Sequence, residues 1–366
     1  MSEQHPTVRD IFTRLQGEGR VTSGWEGPTG EVLASEADIQ PWYVRTMVGF
    51  GAWLASLLLI AFVAGLSFSA KEAGFITLGL LLMFGGVVVR LNLDHDFPRQ
   101  MALAMSLAGQ GLFATGVGMG TDSFPTAMVA LILAQAVLVV AFPDRIHRFL
   151  SLIFATTGAV ALIYYWEAQP LIHALVISVA VVFVLLELQE GRTIALGWGE
   201  VVRPVNYGLL GSAFGLVMLS AVYFFPELTR GHFSFYPHPW ISTLGLGVLL
   251  LYLVHRLSAD ERLPLTGAYR GSVYATIAVV TVAALPAPGI LMALIAILLG
   301  FAQANRILLG AGIAFFVVFL GAYFYGMEIS LLVKSITLTA TGLVLLAARY
   351  YLLRLQTSAA RGARDA

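Results

Sequence analysis

The chain has 366 residues, is 58% hydrophobic and only 11% charged, and has a mean hydropathy of +0.83. A soluble domain carries about 25% charged residues, so this sequence reads as one embedded in a membrane. Its 21 Lys and Arg balance 21 Asp and Glu, which argues against a nucleic-acid surface, and the lack of cysteine excludes disulfides, thiol catalysis and thiolate metal sites.

Residues 1–46 form a polar N-terminal segment. Pro6 and Thr7 predict the start of a short helix that carries Val8, Ile11, Phe12 and Leu15 on one apolar face and ends at Gly17 and Gly19. An acidic, Gly-rich tether then runs to Gln40, and Pro41, Trp42, Tyr43 and Arg45 read as an interfacial anchor. No basic region precedes a short apolar run and small-residue cleavage site, so no signal peptide is expected.

From Met47 onward, apolar runs alternate with short polar breaks. The spans are predicted at 47–68, 73–91, 100–119, 124–142, 149–166, 170–188, 206–225, 239–257, 269–286, 288–304, 306–326 and 329–349. The expected fold is all-α, a polytopic transmembrane helical bundle of about 12 spans over residues 47–350, with a basic tail at 351–366. The ninth and tenth spans meet at Pro286-Ala287-Pro288-Gly289 and read either as two full spans or as a re-entrant hairpin. When successive loops are assigned to alternate sides, only Lys71, Arg230 and Lys334 fall opposite the N-terminus. Basic residues stay on the cytoplasmic side, so both termini are expected there, in a bacterial inner membrane.

Five loops on the other side each carry an acid: Glu72, Asp122, Glu167, Glu227 and Glu328. They form either a ring of carboxylates at a cation entrance or the ordinary polar content of outer loops. The ionisable and strongly polar groups read inside the spans are Gln110, Gln135, His173 and Lys334. The glutamines suit hydrogen bonds between helices. His173 reads as a proton relay or as a packed, hydrogen-bonded histidine. Ser330, Lys334, Thr337 and Thr341 share one face of the last span. Lys334 therefore either snorkels outward or enters a buried ion pair, and Glu328 lies off its face.

Asp94-His95-Asp96 and the group Glu227, His232 and His238 are weak metal candidates, because neighbouring residues on a turn rarely converge on one ion. No metal or cofactor is expected. The run Gly116, Gly118, Gly120 ends a span and is no nucleotide loop, whereas Gly211-x-x-x-Gly215 reads as a helix-packing surface. There is no Gly-x-Ser-x-Gly, phosphate-binding loop or His-Glu-x-x-His, so no catalytic residue is assigned.

The stretch from Tyr323 to Ser335, with its aromatic start and its Leu-Leu-x-Lys-Ser ending, resembles bacterial membrane proteins called domain of unknown function 4401. Gly342, Leu345, Leu346 and Arg349 continue the pattern. Upstream, Gly300-Phe301, Asn305-Arg306, Arg148-Phe149-Leu150-Ser151 and Pro41-Trp42 are similar too, while Phe324 and Ser330 replace an expected Tyr and Thr. The resemblance implies no particular activity. It implies two membrane partners: a second multi-span protein and a small membrane-anchored protein. It also marks Glu328, Lys334, Ser335 and Arg349. Three functions are compatible with the sequence: a non-enzymatic subunit of a membrane complex with a transport or channel role, a membrane enzyme acting on lipid or polyprenyl substrates, and a sensor or scaffold working through residues 1–46.

Overall fold

The computed structural model describes residues 47, 51, 54, 58, 65, 72–93, 95–222, 236–259, 267–326, 332 and 335. Every described element is helical. In order they are α1 (Glu72–Asn92), α2 (Asp96–Thr121), α3 (Phe124–Ala141), α4 (Arg145–Tyr165), α5 (Leu171–Leu188), α6 (Glu190–Ala195), α7 (Gly199–Val222), α8 (Trp240–Ala259), α9 (Gly267–Ala283), α10 (Pro288–Ala302) and α11 (Arg306–Gly326). Each predicted span from the second to the eleventh thus has its helix. The first and twelfth lie largely outside the described residues, although Met47, Gly51, Leu54, Leu58, Gly65, Leu332 and Ser335 are helical. Among the described helices, 8 are long and apolar enough to cross a membrane.

The chain divides into two units, residues 1–116 and 117–366. In the first, α1 and the adjoining part of α2 meet along a seam of glycines. A Cβ on Gly79 would lie 2.6 Å from the Phe113 nitrogen, and one on Gly116 would lie 2.7 Å from the Ile76 nitrogen. Such backbone approach holds helices together where lipid supplies no hydrophobic drive between them.

In the second unit, α10 occupies the centre, packed by α11, α8 and α7. Leu291, Met292, Ala293, Ile295, Ala296 and Leu299 are wholly buried on it. At 15 residues it is about 22 Å long, short of a hydrocarbon core of about 30 Å. It also makes almost no contact with α9, so the helices flanking Pro286 and Pro288 diverge rather than fold onto each other as a hairpin. Outward faces are apolar instead: Leu133, Val137 and Val140 on α3 and Val317 and Val318 on α11 are all more than half exposed. Apolar exposure on this scale suits acyl chains as the neighbour.

Helix ends follow local chemistry. Ser123 caps α3, its Oγ accepting from the Thr126 nitrogen, with Pro125 in the first turn. Asp144 caps α4 by accepting from the nitrogens of Ile146 (2.9 Å) and His147 (3.1 Å), which starts that helix four residues before the predicted span. Helix α7 begins at Gly199, seven residues early, and continues through Pro204. Proline has no N–H for the carbonyl of Glu200, four residues back. That carbonyl accepts from the Arg148 guanidinium at 2.8 Å, so the helix passes the proline without an orphaned acceptor.

Candidate functional site

The ends of α4, α5, α7, α10 and α11 that carry Arg145, Leu188, Gly199, Ala302 and Arg306, together with α6, surround a cleft of about 670 Å³. Its apolar walls are Ile146, Phe149, Leu186, Val202, Pro204 and Ile307. Its polar groups form a rim and a floor.

At the rim, Arg145 grips the Glu200 carboxylate with Nε at 3.2 Å and Nη2 at 3.0 Å. Both side chains are about three-quarters exposed, 75% and 74%, so this pair contributes less than about 1 kcal/mol. Arg203 donates through Nε to Glu190 at 2.7 Å. Arg148 is different. It is buried, and its Nε donates to the Val139 carbonyl at 3.0 Å while Nη1 donates to the Glu200 carbonyl. It therefore fastens α3 and α7 to α4.

On the floor is Glu187, in the last turn of α5 and 7% exposed. Its carboxyl accepts from the Asn206 amide and has Asn305 as a second side-chain partner. Among the described residues no ion pair reaches it. The Gln303 amide nitrogen donates to the Glu187 main-chain carbonyl at 2.8 Å. Asn305 Nδ2 donates to the Tyr207 hydroxyl at 3.0 Å, and Asn305 Oδ1 accepts from the Leu308 nitrogen at 3.1 Å, capping α11. Two buried oxygens here receive no hydrogen bond: Asn206 Oδ1 and Gln303 Oε1. A carbonyl can only accept, so the nitrogen of Gln303 must face Glu187 and its oxygen is the end left over.

The predicted site residues stand elsewhere. His173 is 2% exposed and fully engaged: Nε2 meets the Pro237 carbonyl at 2.6 Å and Nδ1 meets Ser242 Oγ at 2.8 Å, while the Tyr236 hydroxyl donates to Ser242 at 2.7 Å. The carbonyl requires a proton on Nε2, which leaves Nδ1 to accept from the serine. Burial of Tyr236, in the connection before α8, pushes its hydroxyl above the ordinary tyrosine range. Glu167 is exposed on the turn between α4 and α5, with φ 53. Glu328, Ser330, Lys334, Thr337, Thr341 and Arg349 lie outside the described residues, and Ser335 is helical and exposed.

Gln110 donates to Ser106 on its own helix at 3.3 Å. Of the weak metal candidates, Asp94, Glu227 and His232 lie outside the described residues, and among those described no three metal-binding side chains gather. His147 stacks on Phe142 with centroids 4.2 Å apart and meets Ser151 at 3.2 Å. The packing glycines of α7 are Gly208 and Gly211, which face Phe149 and Ile153 of α4, whereas Gly215 has open space around it.

Sequence reasoning missed Glu187, Asn206 and Gln303, because each falls at an expected span boundary, where polar residues need no explanation. The available signal was Glu187 itself, a carboxylic acid inside the predicted 170–188 segment. No curated protein and no solved structure matches the chain. The family model described as domain of unknown function (DUF4401) matches residues 41–355, and with its motifs and its all-helical, membrane-compatible fold the chain belongs to that family.

Proposed function

We propose that this protein is a non-enzymatic integral subunit of a bacterial inner-membrane complex, and that its cleft takes up a small solute from the cytoplasmic side. The observation that carries the reading is Glu187, a carboxyl group buried at the end of a membrane-compatible helix and lining a cleft of about 670 Å³. Acids in such positions are costly and usually mark solute or ion paths. The cleft also falls in the size range of small-molecule sites, roughly 300–1,000 Å³. The charge bias of the loops makes the Arg145 end cytoplasmic. The partners are a second multi-span protein and a small membrane-anchored one, as family resemblance implies. Lys334 then either locks the last span to an acid on another helix or lines the path.

An enzyme acting on lipid would need the acids, histidines and arginines of the cytoplasmic loops in one pocket. Arg145 lines the cleft, but Asp144 is spent capping α4 and His147 is buried against Phe142. The test is tagged purification from native membranes in mild detergent, with mass spectrometry of proteins and small molecules. Stoichiometric membrane partners and a retained solute lost on Glu187→Gln are expected. A solitary chain carrying a polyprenyl or lipid substrate together with its converted product would overturn the subunit reading in favour of the enzyme.

A further inference from the structure

The connection between α5 and α7 is apolar where a loop in water would be polar. Helix α6 ends at Ala195, and within the five residues from Ile194 to Trp198 three large apolar side chains are exposed: Ile194 at 44%, Leu196 at 66% and Trp198 at 55%. The backbone fixes their display. Gly197, at φ 80, donates to the Ile194 carbonyl at 2.9 Å, and the Trp198 nitrogen donates to the Thr193 carbonyl at 2.9 Å. That pair of bonds is the left-handed glycine cap that closes a helix, so Leu196 and Trp198 stand on a set turn.

The charged side chains of α6 divide in a matching way. Glu190 lines the cleft, where Arg203 takes its carboxylate at 2.7 Å. Arg192 is exposed, and among the described residues no acid pairs with it. The connection therefore presents one uncommitted cation beside three apolar side chains.

Its tethers indicate what covers it. A single residue, Gln189, separates α6 from α5, and three residues separate it from α7, each spanning at most about 3.5 Å. Both neighbours are long and apolar enough to cross a membrane, so α6 is held at the bilayer surface. Tryptophan is favoured at that depth, and an arginine there reaches lipid phosphates while its stem lies along apolar neighbours. A protein is a poorer occupant, because a stable interface takes about 800 Å² from each side, of which three part-exposed side chains supply a minor share.

We infer that α6 and its glycine turn form a docking surface for an anionic phospholipid. Ile194, Leu196 and Trp198 enter the boundary between headgroups and acyl chains, and Arg192 binds the phosphate. This surface is separate from the Glu187 floor, so the inference stands whether or not the cleft takes up a solute.

The test uses the full-length protein in phosphatidylcholine vesicles containing a minor fraction of lipid brominated on the acyl chain close to the headgroup, either phosphatidylglycerol or phosphatidylcholine. Bromine quenches tryptophan on contact, and the emission of Trp198 is the difference between the protein and its Trp198→Phe variant. Both lipids should quench Trp198, phosphatidylglycerol roughly fivefold more strongly, the preference expected from one arginine at a charged surface. Arg192→Gln should remove the preference and keep the quenching. A second readout does not depend on the tryptophan. The chain has no cysteine, so a nitroxide on Leu196→Cys is a unique label, and it should be open to oxygen and shielded from a water-soluble nickel chelate. Equal quenching by the two lipids with Arg192 in place would overturn the anionic class. Absence of quenching, or a nitroxide open to the nickel chelate, would overturn the membrane contact itself. A nitroxide shielded from both reagents would place a protein on the surface, and dipolar broadening would place a second copy there; either result overturns the lipid as its occupant.

Discussion

Arg148 holds a carbonyl that the chain itself has released. Pro204 removes the N–H that would have bonded to Glu200 O, and the Arg148 guanidinium takes its place at 2.8 Å. Replacing Arg148 by Met leaves that acceptor buried and unpaired, at a cost of about 1–3 kcal/mol. The variant Pro204→Ala restores a backbone donor, so the double variant should be less destabilised than Arg148→Met alone, measured by thermal unfolding in detergent. Equal loss in both would show that the contact with Glu200 contributes nothing. Tyr236 offers a pH test at the same scale. Burial raises its pKa in the folded chain, so the native state keeps its proton where the unfolded chain has lost it. Its stabilisation is fully present below about pH 10 and is lost as pH rises beyond that value. Tyr236→Phe should flatten this alkaline slope in a melting series. Neither residue stands out in the sequence, because a proline four residues after an acid, or a tyrosine in a loop, acquires its role only from what folds against it.

Helices were the most legible level. Hydropathy alone placed α1 to α5 and α7 to α11, since length and apolarity are local properties. The ends were less legible, and for identifiable reasons: Asp144 extends α4 through a side-chain cap, and Arg148 allows α7 to run through a residue that reads as a breaker. Packing registers were legible only as small-residue runs. Gly211 and Gly215 have the right spacing, yet the face that meets α4 carries Gly208 and Gly211. A Cβ on Gly208 would lie 2.9 Å from the Phe149 carbonyl, and one on Gly215 would meet nothing within 4 Å. Gly208→Ala should therefore destabilise by about 1–3 kcal/mol, whereas Gly215→Ala should be neutral or stabilise by about 0.5–1 kcal/mol. Thermal unfolding of the two variants compares them directly.

Across the whole molecule, the distribution of arginines predicts which side faces the cytoplasm, and the absence of cysteine makes that prediction easy to check. Val202→Cys places a single thiol on the cleft wall. A membrane-impermeant maleimide should label it in inside-out vesicles and leave it unlabelled in intact spheroplasts. The opposite pattern would invert the assigned topology. The cleft itself was not legible from composition or span counting. Asn206 follows Glu187 by 19 residues, Gln303 follows Glu187 by 116, and the three become neighbours only when α5, α7 and the end of α10 meet.

The short central helix also bears on how the chain is made. A segment of 15 residues that cannot bridge the hydrocarbon core, with most of its surface buried by protein, gains little from lipid contact as it leaves the translocon. Its partner is the next segment synthesised. A Cβ on Gly300 would run into the Leu309 nitrogen, and one on Gly312 would sit 2.9 Å from Ile297, so α10 and α11 enclose each other at backbone distance. The two helices are therefore expected to enter the bilayer as a unit. A nascent chain halted after residue 305 would leave α10 without the helix that encloses it at backbone distance, which ties quality control of this protein to the synthesis of α11.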